Sequence, residues 1–464
     1  MMKYYMAGIK GAGMSALALF LSDLGYEIIG YDDAKEKRFT EEKLIQRGIK
    51  IYNEINDELN NNCIVIYSPA LRKETHPVLK LASELNLRVY EYQEMLGKLS
   101  KMFKTFSISG CHGKTTTTAM LSHIFIDNGG CNYIIGDGVG HGDRESNKFV
   151  LESCEYRRHF LAYDPEYVVI TNIELDHIDY YKNIDDMILA YNEFANKAGK
   201  MVIACGDDKY THLLDVKKPI YYYGINEDND IQARNIDYRN DGTSFDVFIE
   251  DDYYGHFDLP LFGKHMLLNS LAVIGICYYE RLDCKNVSRS LKTFKGALRR
   301  FKEKIIGDIV TIDDYAHHPT EVKVTIKAAK QKYPNKKVIA ILKTHTKSRT
   351  KAFAKEFADA LNLADKAYVM DINQDRYEEG YDDITPDIII NKLNNGGYMS
   401  LDKVDELLKY KNAVILFMSS KEIYELQDLY EKKIKRTIII YRKLDIYLWK
   451  TLFIRLKIWV KKTR

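Results

Sequence analysis

The chain has 464 residues, room for about three domains of the usual ~100–200 residues. Hydrophobic residues make up 46% and charged ones 29%, the composition of a globular chain able to build a sizeable core. The net charge of +2 hides an asymmetry: residues 432–464 hold twelve Lys or Arg against one acid, so the rest is acidic and lacks a nucleic-acid-binding balance. Seven scattered cysteines form no CxxC pair, which supports neither a disulfide framework nor a zinc site and fits a reducing cytosol. The N-terminus turns at once into a strand and a glycine loop, so no leader segment is predicted.

Residues 3–9 predict a short buried strand, followed by GAGMSA at 11–16 and an apolar-periodic helix over 17–24. A second strand over 26–31 ends in Asp32 and Asp33. Gly11-x-Gly13-x-x-Ala16, with Asp32 at the distance expected of a ribose contact, matches the dinucleotide fingerprint. Any tight strand-to-helix turn favours glycine, so the reading is an anion-binding Rossmann-like loop of unspecified ligand. Strands over 63–67, ending in Ser68, and over 89–91 complete a parallel α/β domain over 1–100.

The chain is organised around FSISGCHGKTTTTA at 106–119. An apolar run enters a turn on Gly110 and Gly113, Lys114 follows, and four threonines open a predicted helix. Strand, glycine turn and helix start together make a phosphate site, because successive N–H groups and the helix terminus converge on an anion. Lys114 would neutralise the outer phosphates and the Thr115 hydroxyl would ligand magnesium. The full pattern has a glycine where this chain has Ile108, so the match is to a shorter GxxGKT form, and a surface turn with a cationic tip is the alternative.

Two further apolar strands, over 149–151 and 167–171, run into acidic clusters, Glu152-Ser153-Cys154-Glu155 and Asn172 to His177. Carboxylates and a histidine at strand ends beside a GKT loop suit magnesium; a solvated acid and a satisfied loop histidine are the plainer readings. Residues 206–224 predict loop, helix and strand, and 231–258 alternating strands. His265 and Asn269 lie four apart on an apolar-periodic helix, as a cap with a core amide or as contacts to a base edge. Arg299 and Arg300 are paired as for phosphate forks. A third α/β unit has strands over 308–312, 338–342 and 367–371 and a helix over 351–361. His317, His345 and Arg349 lie in polar loops at its strand ends.

Eight motifs in order resemble the Mur ligase family of peptidoglycan synthesis: GIKGAGMS at 8–15, SGCHGKTTTT at 109–118, NYIIGDG at 132–138, ESCEYRRHF at 152–160, TNIELDHID at 171–179, GKHMLLNSLA at 263–272, FKGALRRF at 294–301 and DDYAHHPTE at 313–321. EYRRHF with DYAHHPTE points to the alanine-adding branch. The resemblance implies three domains: a Rossmann-like one over 1–100 for UDP-N-acetylmuramate, a central P-loop ATPase-type one over 101–297, and a C-terminal Rossmann-like one over 298–431 for L-alanine. It also implies ATP and Mg2+ as cofactors and amide formation through an acyl phosphate. Gly11, Gly13, Ser15, Asp32 and Ser68 would address the UDP-sugar. Gly110, Cys111, His112, Gly113, Lys114, Thr115 and Thr116, with His265 and Asn269 at adenine, would hold ATP, and Thr115, Glu155 and His177 the metal. Lys114, His177, Arg300, His317 and Arg349 would act in catalysis; Tyr315, His317, His345 and Arg349 would bind the amino acid.

The third unit departs from the family pattern: Leu342-Lys343-Thr344 replaces Gln-Pro before His345, DINQDRYEEG at 371–380 lacks a Gly-Ser-Ala-Arg-Glu core, and Phe417-Met418-Ser419-Ser420 replaces a Gly-Ala-Gly turn. A ligase for another amino acid and a non-catalytic nucleotide-binding relative are therefore the competing expectations. A Rossmann-type oxidoreductase rests on Gly11–Ala16 and Asp32 alone and leaves GKT unexplained. Residues 432–464 lie beyond the pattern as a basic amphipathic extension, with Leu448, Trp449, Leu452, Phe453, Leu456, Trp459 and Val460 at helical spacing. Peripheral contact with an anionic membrane is one expectation for it, and docking on a protein surface another.

Overall fold

The computed structural model describes residues 3–36, 38–297, 300–373, 378, 380–420 and 423–439. The chain divides between residues 298 and 299 into two compact units.

In the first unit, β1 (Lys3–Ala7), β2 (Glu27–Tyr31), β3 (Lys50–Tyr52), β4 (Cys63–Tyr67) and β5 (Arg88–Glu91) form a parallel sheet in the order β3-β2-β1-β4-β5. Helices α1 (Ala12–Asp23), α2 (Glu41–Gln46), α3 (Pro77–Glu84) and α4 (Tyr92–Met102) alternate with the strands. Tyr4 and Met6 pack with Leu17, Phe20 and Leu96 of α1 and α4, whereas Tyr5 and Ala7 pack with Val78 and Leu79 of α3. Strand alternation thus gives each sheet face its own helical cover. Helix α1 starts at Ala12 rather than at the expected residue 17. Gly11 already serves as its extended N-cap, which puts Gly13 and Ser15 in the first turns.

A second sheet follows: β6 (Lys104–Ser109), β7 (Asn132–Ile135), β8 (Val139–His141), β9 (Lys148–Glu152), β10 (Tyr167–Ile170), β11 (Met201–Cys205), β12 (Ile220–Gly224), β13 (Ile231–Tyr238), β14 (Thr243–Ile249) and β15 (Asp252–Leu259). Its order is β15-β14-β13-β12-β11-β10-β6-β9-β7-β8, parallel from β13 to β7 and antiparallel at both edges. Helices α5 (Lys114–Asp127), α6 (Ile184–Ala195), α7 (Lys264–Tyr279) and α8 (Cys284–Thr293) belong to this sheet. The helix expected within 206–224 is only a 3-10 turn, Thr211–Leu213. Thr211 Oγ1 donates to the carbonyls of Cys205 at 2.6 Å and Asp208 at 2.8 Å, closing the chain locally instead.

The two sheets of this unit share a core, in which Phe20 of α1 meets Phe103 and Phe149. Helix α1 lies against β8, and a side chain at Gly140 or Gly142 would strike the Ala16 or Phe20 carbonyl. Asp23 completes the joint by accepting from Gly142 N–H at 3.2 Å and pairing with His141.

The second unit has β16 (Lys302–Ile306), β17 (Ile309–Asp314), β18 (Lys337–Leu342), β19 (Lys366–Val369), β20 (Gly396–Tyr398) and β21 (Ala413–Met418), ordered β16-β17-β21-β18-β19-β20. Only β16 runs antiparallel to its neighbour. Helix α9 (Pro319–Lys332) starts from a reciprocal capping box between His318 and Glu321 with proline in the first turn. The single helix expected over 351–361 is two, α10 (Lys347–Ala352) and α11 (Ala354–Leu361). Phe353 breaks it with non-helical backbone, its ring packed 5.1 Å from His318. A last helix covers 424–439. Arg299, half of the motif at 371–380 and the extension beyond 439, with Leu448 to Val460, lie outside the described residues. Among the described residues no helix is long and apolar enough to cross a membrane.

Candidate active site

Strand order builds the phosphate loop's surroundings. β6 lies between β9 and β10, with Ile108 level with Glu152 and Ser109 level with Ile170. The loop leaving β6 is therefore flanked by the acid cluster after β9 and by Thr171 and Asn172 after β10. Gly110 and Gly113 have φ of 130° and 88°, a region glycine enters without steric cost. Asn172 Oδ1 accepts from His112 N–H at 2.9 Å, and Thr171 Oγ1 and Asn172 Nδ2 donate to the His112 carbonyl at 2.6 and 2.8 Å. The Cys111 thiol donates to the Glu174 carbonyl at 3.0 Å.

Asn269 of α7 lies against the loop, where a Cβ on Gly113 would stand 2.6 Å from its Oδ1. His265, one turn earlier on α7, is half-buried. Thr116 is buried in the first turn of α5, where main-chain N–H groups lack helical acceptors.

Lys114 Nζ donates to the carbonyls of Gly110 at 2.5 Å and Cys111 at 3.1 Å and pairs with Glu155 Oε2 at 2.8 Å. Burial is the largest influence on the lysine and would lower its pKa, but Glu155 and the groups around it raise it above the usual value. Burial would likewise raise the Glu155 carboxyl, and Lys114 and His177 together hold it below its usual value. His177 Nε2 lies 3.3 Å from Glu155 Oε1. The Tyr156 ring covers His177 at 4.6 Å between centroids, and its hydroxyl donates to Asp179 at 2.7 Å. Tyr156 precedes Arg157 and Arg158, both left-handed at φ 52° and 56°, and Arg158 is tied to Asp186 and Glu193 of α6.

Thr115 was expected beside Glu155 and is bonded to Glu152 instead, its Oγ1 donating to Oε1 at 3.0 Å. The other oxygen of Glu152 accepts from Gly136 N–H at 2.6 Å. Burial raises the Glu152 carboxyl, opposite in direction to Glu155. Glu155 and His177, in contact with each other, and the Thr115 hydroxyl, whose proton Glu152 takes, offer oxygen and nitrogen donors of the kind a hard divalent cation accepts.

At the first glycine loop, Asp32 is buried and serves the loop itself: Oδ2 accepts from Lys10 N–H at 2.8 Å and Oδ1 from Ala34 N–H at 3.1 Å. Thr40 Oγ1 donates to the Lys10 carbonyl at 2.6 Å. Gly11 caps α1, and Gly13 sits beneath the Tyr92 ring. Ser15 is fully buried, its hydroxyl without a hydrogen bond among the described residues. Ser68 packs against Gly8 and accepts from Ala70 N–H at 3.3 Å.

In the second unit, Glu321 gathers the expected residues. Its Oε1 lies 3.3 Å from Arg300 Nη1, and its Oε2 lies 3.0 Å from His317 Nδ1 and accepts from His317 N–H at 2.9 Å. Arg300 stands 5.3 Å over the Tyr315 ring, and the His317 ring is 5.9 Å from that of His345. Arg349 is buried in the first turn of α10, which Thr346 caps just after His345. Asp314, its carboxyl raised by burial, accepts from Phe301 N–H and Ala316 N–H at 2.8 and 2.9 Å and so frames the same loop.

Sequence reasoning placed Glu152 and Asn172 in the clusters beside the phosphate loop without individual roles, and assigned none to Tyr156 or Glu321. Glu321 had a local signal, the third helical position of a capping box; the others depend on contacts between strands.

Family profiles match three consecutive stretches: the Mur ligase family catalytic domain over 3–104, the Mur ligase middle domain over 108–277, and the Mur ligase glutamate ligase domain over 299–421. The chain belongs to the Mur ligase family. It is 43% identical over 432 residues to a UDP-N-acetylmuramate–L-alanine ligase of Lactiplantibacillus plantarum, covering 93% of this chain and 99% of that protein. Its fold is similar to the crystal structure of the UDP-N-acetylmuramate–alanine ligase MurC of Thermotoga maritima, with a TM-score of 0.76 and 25% identity over 93% of this chain and 99% of that one. A murein peptide ligase of Psychrobacter arcticus shares the fold at a TM-score of 0.68 and 20% identity, covering 94% and 99%.

Proposed function

We propose that the chain is a cytoplasmic, ATP-dependent ligase that joins the lactyl carboxylate of UDP-N-acetylmuramate to the amine of L-alanine during peptidoglycan precursor synthesis. The observation that carries this reading is near-full-length identity of 43% to a ligase of that name.

A carboxylate does not condense with an amine in water, because its oxygen is a poor leaving group. Phosphoryl transfer from ATP converts it to an acyl phosphate, and the alanine amine then displaces phosphate. Lys114 and the N–H groups of the Gly110–Gly113 turn meet the charge on the transferred phosphoryl group. Thr115, Glu155 and His177 would hold Mg2+, which would supply positive charge against that of the phosphates. The glycine loop at Gly11–Gly13, with Asp32, Ser15 and Ser68 around it, takes the UDP-sugar, and His265 and Asn269 take adenine. Arg300, Tyr315, His317, His345 and Arg349 orient the transferred phosphate and the alanine.

The departures at Leu342–Thr344, 371–380 and Phe417–Ser420 support a second reading, a ligase of the same chemistry for another amino acid. Phosphate release from ATP with UDP-N-acetylmuramate and a panel of amino acids separates the two. Release with L-alanine alone supports the first, release with another amino acid the second, and no release with any overturns both.

A further inference from the structure

Glu152 belongs to neither the expected metal set nor the expected nucleotide set, yet its carboxylate is the group that touches both sides. One oxygen accepts from Thr115 Oγ1 at 3.0 Å and the other from Gly136 N–H at 2.6 Å. Gly136 opens the turn between β7 and β8, and the far end of that turn, Gly138, packs against Thr40 and Ala12 beside the first glycine loop. Thr40 is in turn bonded to the Lys10 carbonyl of that loop. A path of contacts therefore runs from the loop after β1 to the phosphate loop, and the Glu152 carboxylate joins its two halves.

The chemistry of Thr115 makes this link directional. A hydroxyl can offer a lone pair to a cation only if its proton points elsewhere, and Glu152 is the acceptor of that proton. An isosteric glutamine cannot do both jobs. If its amide nitrogen faces Thr115, it consumes the lone pair and turns the hydroxyl proton around. If the nitrogen faces Gly136, two donors oppose each other.

We propose that Glu152 is a positioning residue that couples the two nucleotide sites, orienting the Thr115 hydroxyl only when the 136–138 turn is seated against the Gly11–Gly13 loop. The inference rests on the functional reading above and deepens it. A UDP-sugar that fixes the first loop tightens Mg-ATP at the second, and the reverse holds by linkage.

The test is equilibrium binding rather than turnover. The affinity of the magnesium complex of a non-hydrolysable ATP analogue, which binds without phosphoryl transfer, is measured by calorimetry on the full chain with and without saturating UDP-N-acetylmuramate, for wild type, Glu152→Gln and Gly136→Ala. A methyl at Gly136 would stand 2.5 Å from Glu152 Oε1, displacing the carboxylate. Wild type is expected to gain at least about fivefold in affinity from the sugar nucleotide, the lower end of ordinary site coupling. Both variants are expected to bind each ligand alone, with the gain reduced to about onefold in the same measurement. A wild-type gain that survives in both variants, or no gain in wild type although both ligands bind, overturns the coupling role and leaves the ligase reading standing. Failure of wild type to bind UDP-N-acetylmuramate at all overturns both.

Discussion

Lys114 pairs at 2.8 Å with the buried carboxylate of Glu155, and the lysine at the same time bonds the carbonyls of its own loop. The cation that would meet the ATP phosphates is thus held in place, already desolvated, by the carboxylate that would meet the metal. Each partner keeps the other charged in a site whose burial opposes charge on both. Lys114→Ala is expected to lower turnover by at least about 10²–10³-fold. It also leaves Glu155 with His177 as its remaining partner, a cost of up to about 3–5 kcal/mol, the range for a broken buried pair. UDP-sugar affinity is expected to persist, because the Asp32 and Thr40 contacts that hold its loop do not involve Lys114. Near-normal turnover in this variant would contradict the assignment of the loop.

Tyr156 supports His177 by ring contact at 4.6 Å and anchors to Asp179 at 2.7 Å. An aromatic pair of this kind contributes about 0.5–1.5 kcal/mol, so Tyr156→Ala is expected to lower kcat roughly 3- to 10-fold. Tyr156→Phe keeps the ring and stays close to wild type. Equal losses in the two variants would show that the hydroxyl, not the ring, is what matters.

Glu321 holds Arg300 and His317 in one cluster. Replacing it with alanine removes charge-assisted hydrogen bonds of about 1.5–3 kcal/mol each. The KM for the amino acid is expected to rise about 10- to 100-fold while Mg-ATP affinity, measured by calorimetry, stays unchanged. A change in ATP affinity with no change in amino-acid KM is the opposite of what this placement requires.

At the other ends of the central strands, Glu280 collects Lys104 at 2.7 Å, Lys200 at 3.5 Å and the Tyr167 hydroxyl. Burial would raise its carboxyl, but these donors outweigh it and hold it below the usual value. A carboxyl depressed in the fold contributes stability that is present above its unfolded value of about 4.3 and is lost as pH falls through the folded value. Glu280→Gln is expected to be less stable than wild type by about 1–3 kcal/mol at pH 7. That gap should shrink below about pH 4, read from urea unfolding midpoints across pH. A gap constant from neutral to acid pH would remove the carboxylate from the account.

Much of the candidate site was legible because its signals are local. A strand, a glycine turn and a helix start occupy one short stretch, so the Gly110–Thr115 loop and the GAGMSA loop can be read without knowing the rest of the fold. The capping box that places Glu321 is local in the same way. The helix start at Ala12 and the break at Phe353 are not legible in the sequence, since glycine disfavours helix and a lone aromatic carries little propensity of its own.

The sequence by itself therefore determined the class of chemistry: a phosphate loop with its lysine and threonine, acids at the ends of apolar strands, and an α/β framework to carry them. Only the tertiary structure decided which acid serves which partner. Glu152 and Glu155 stand three residues apart and look equivalent in the chain, yet one faces Thr115 and the β7–β8 turn while the other faces Lys114 and His177. The physical reason is strand order. Placing β6 between β9 and β10 brings together groups separated by 37 to 41 residues, and hydrogen bonds across that distance leave no periodic trace in a sequence.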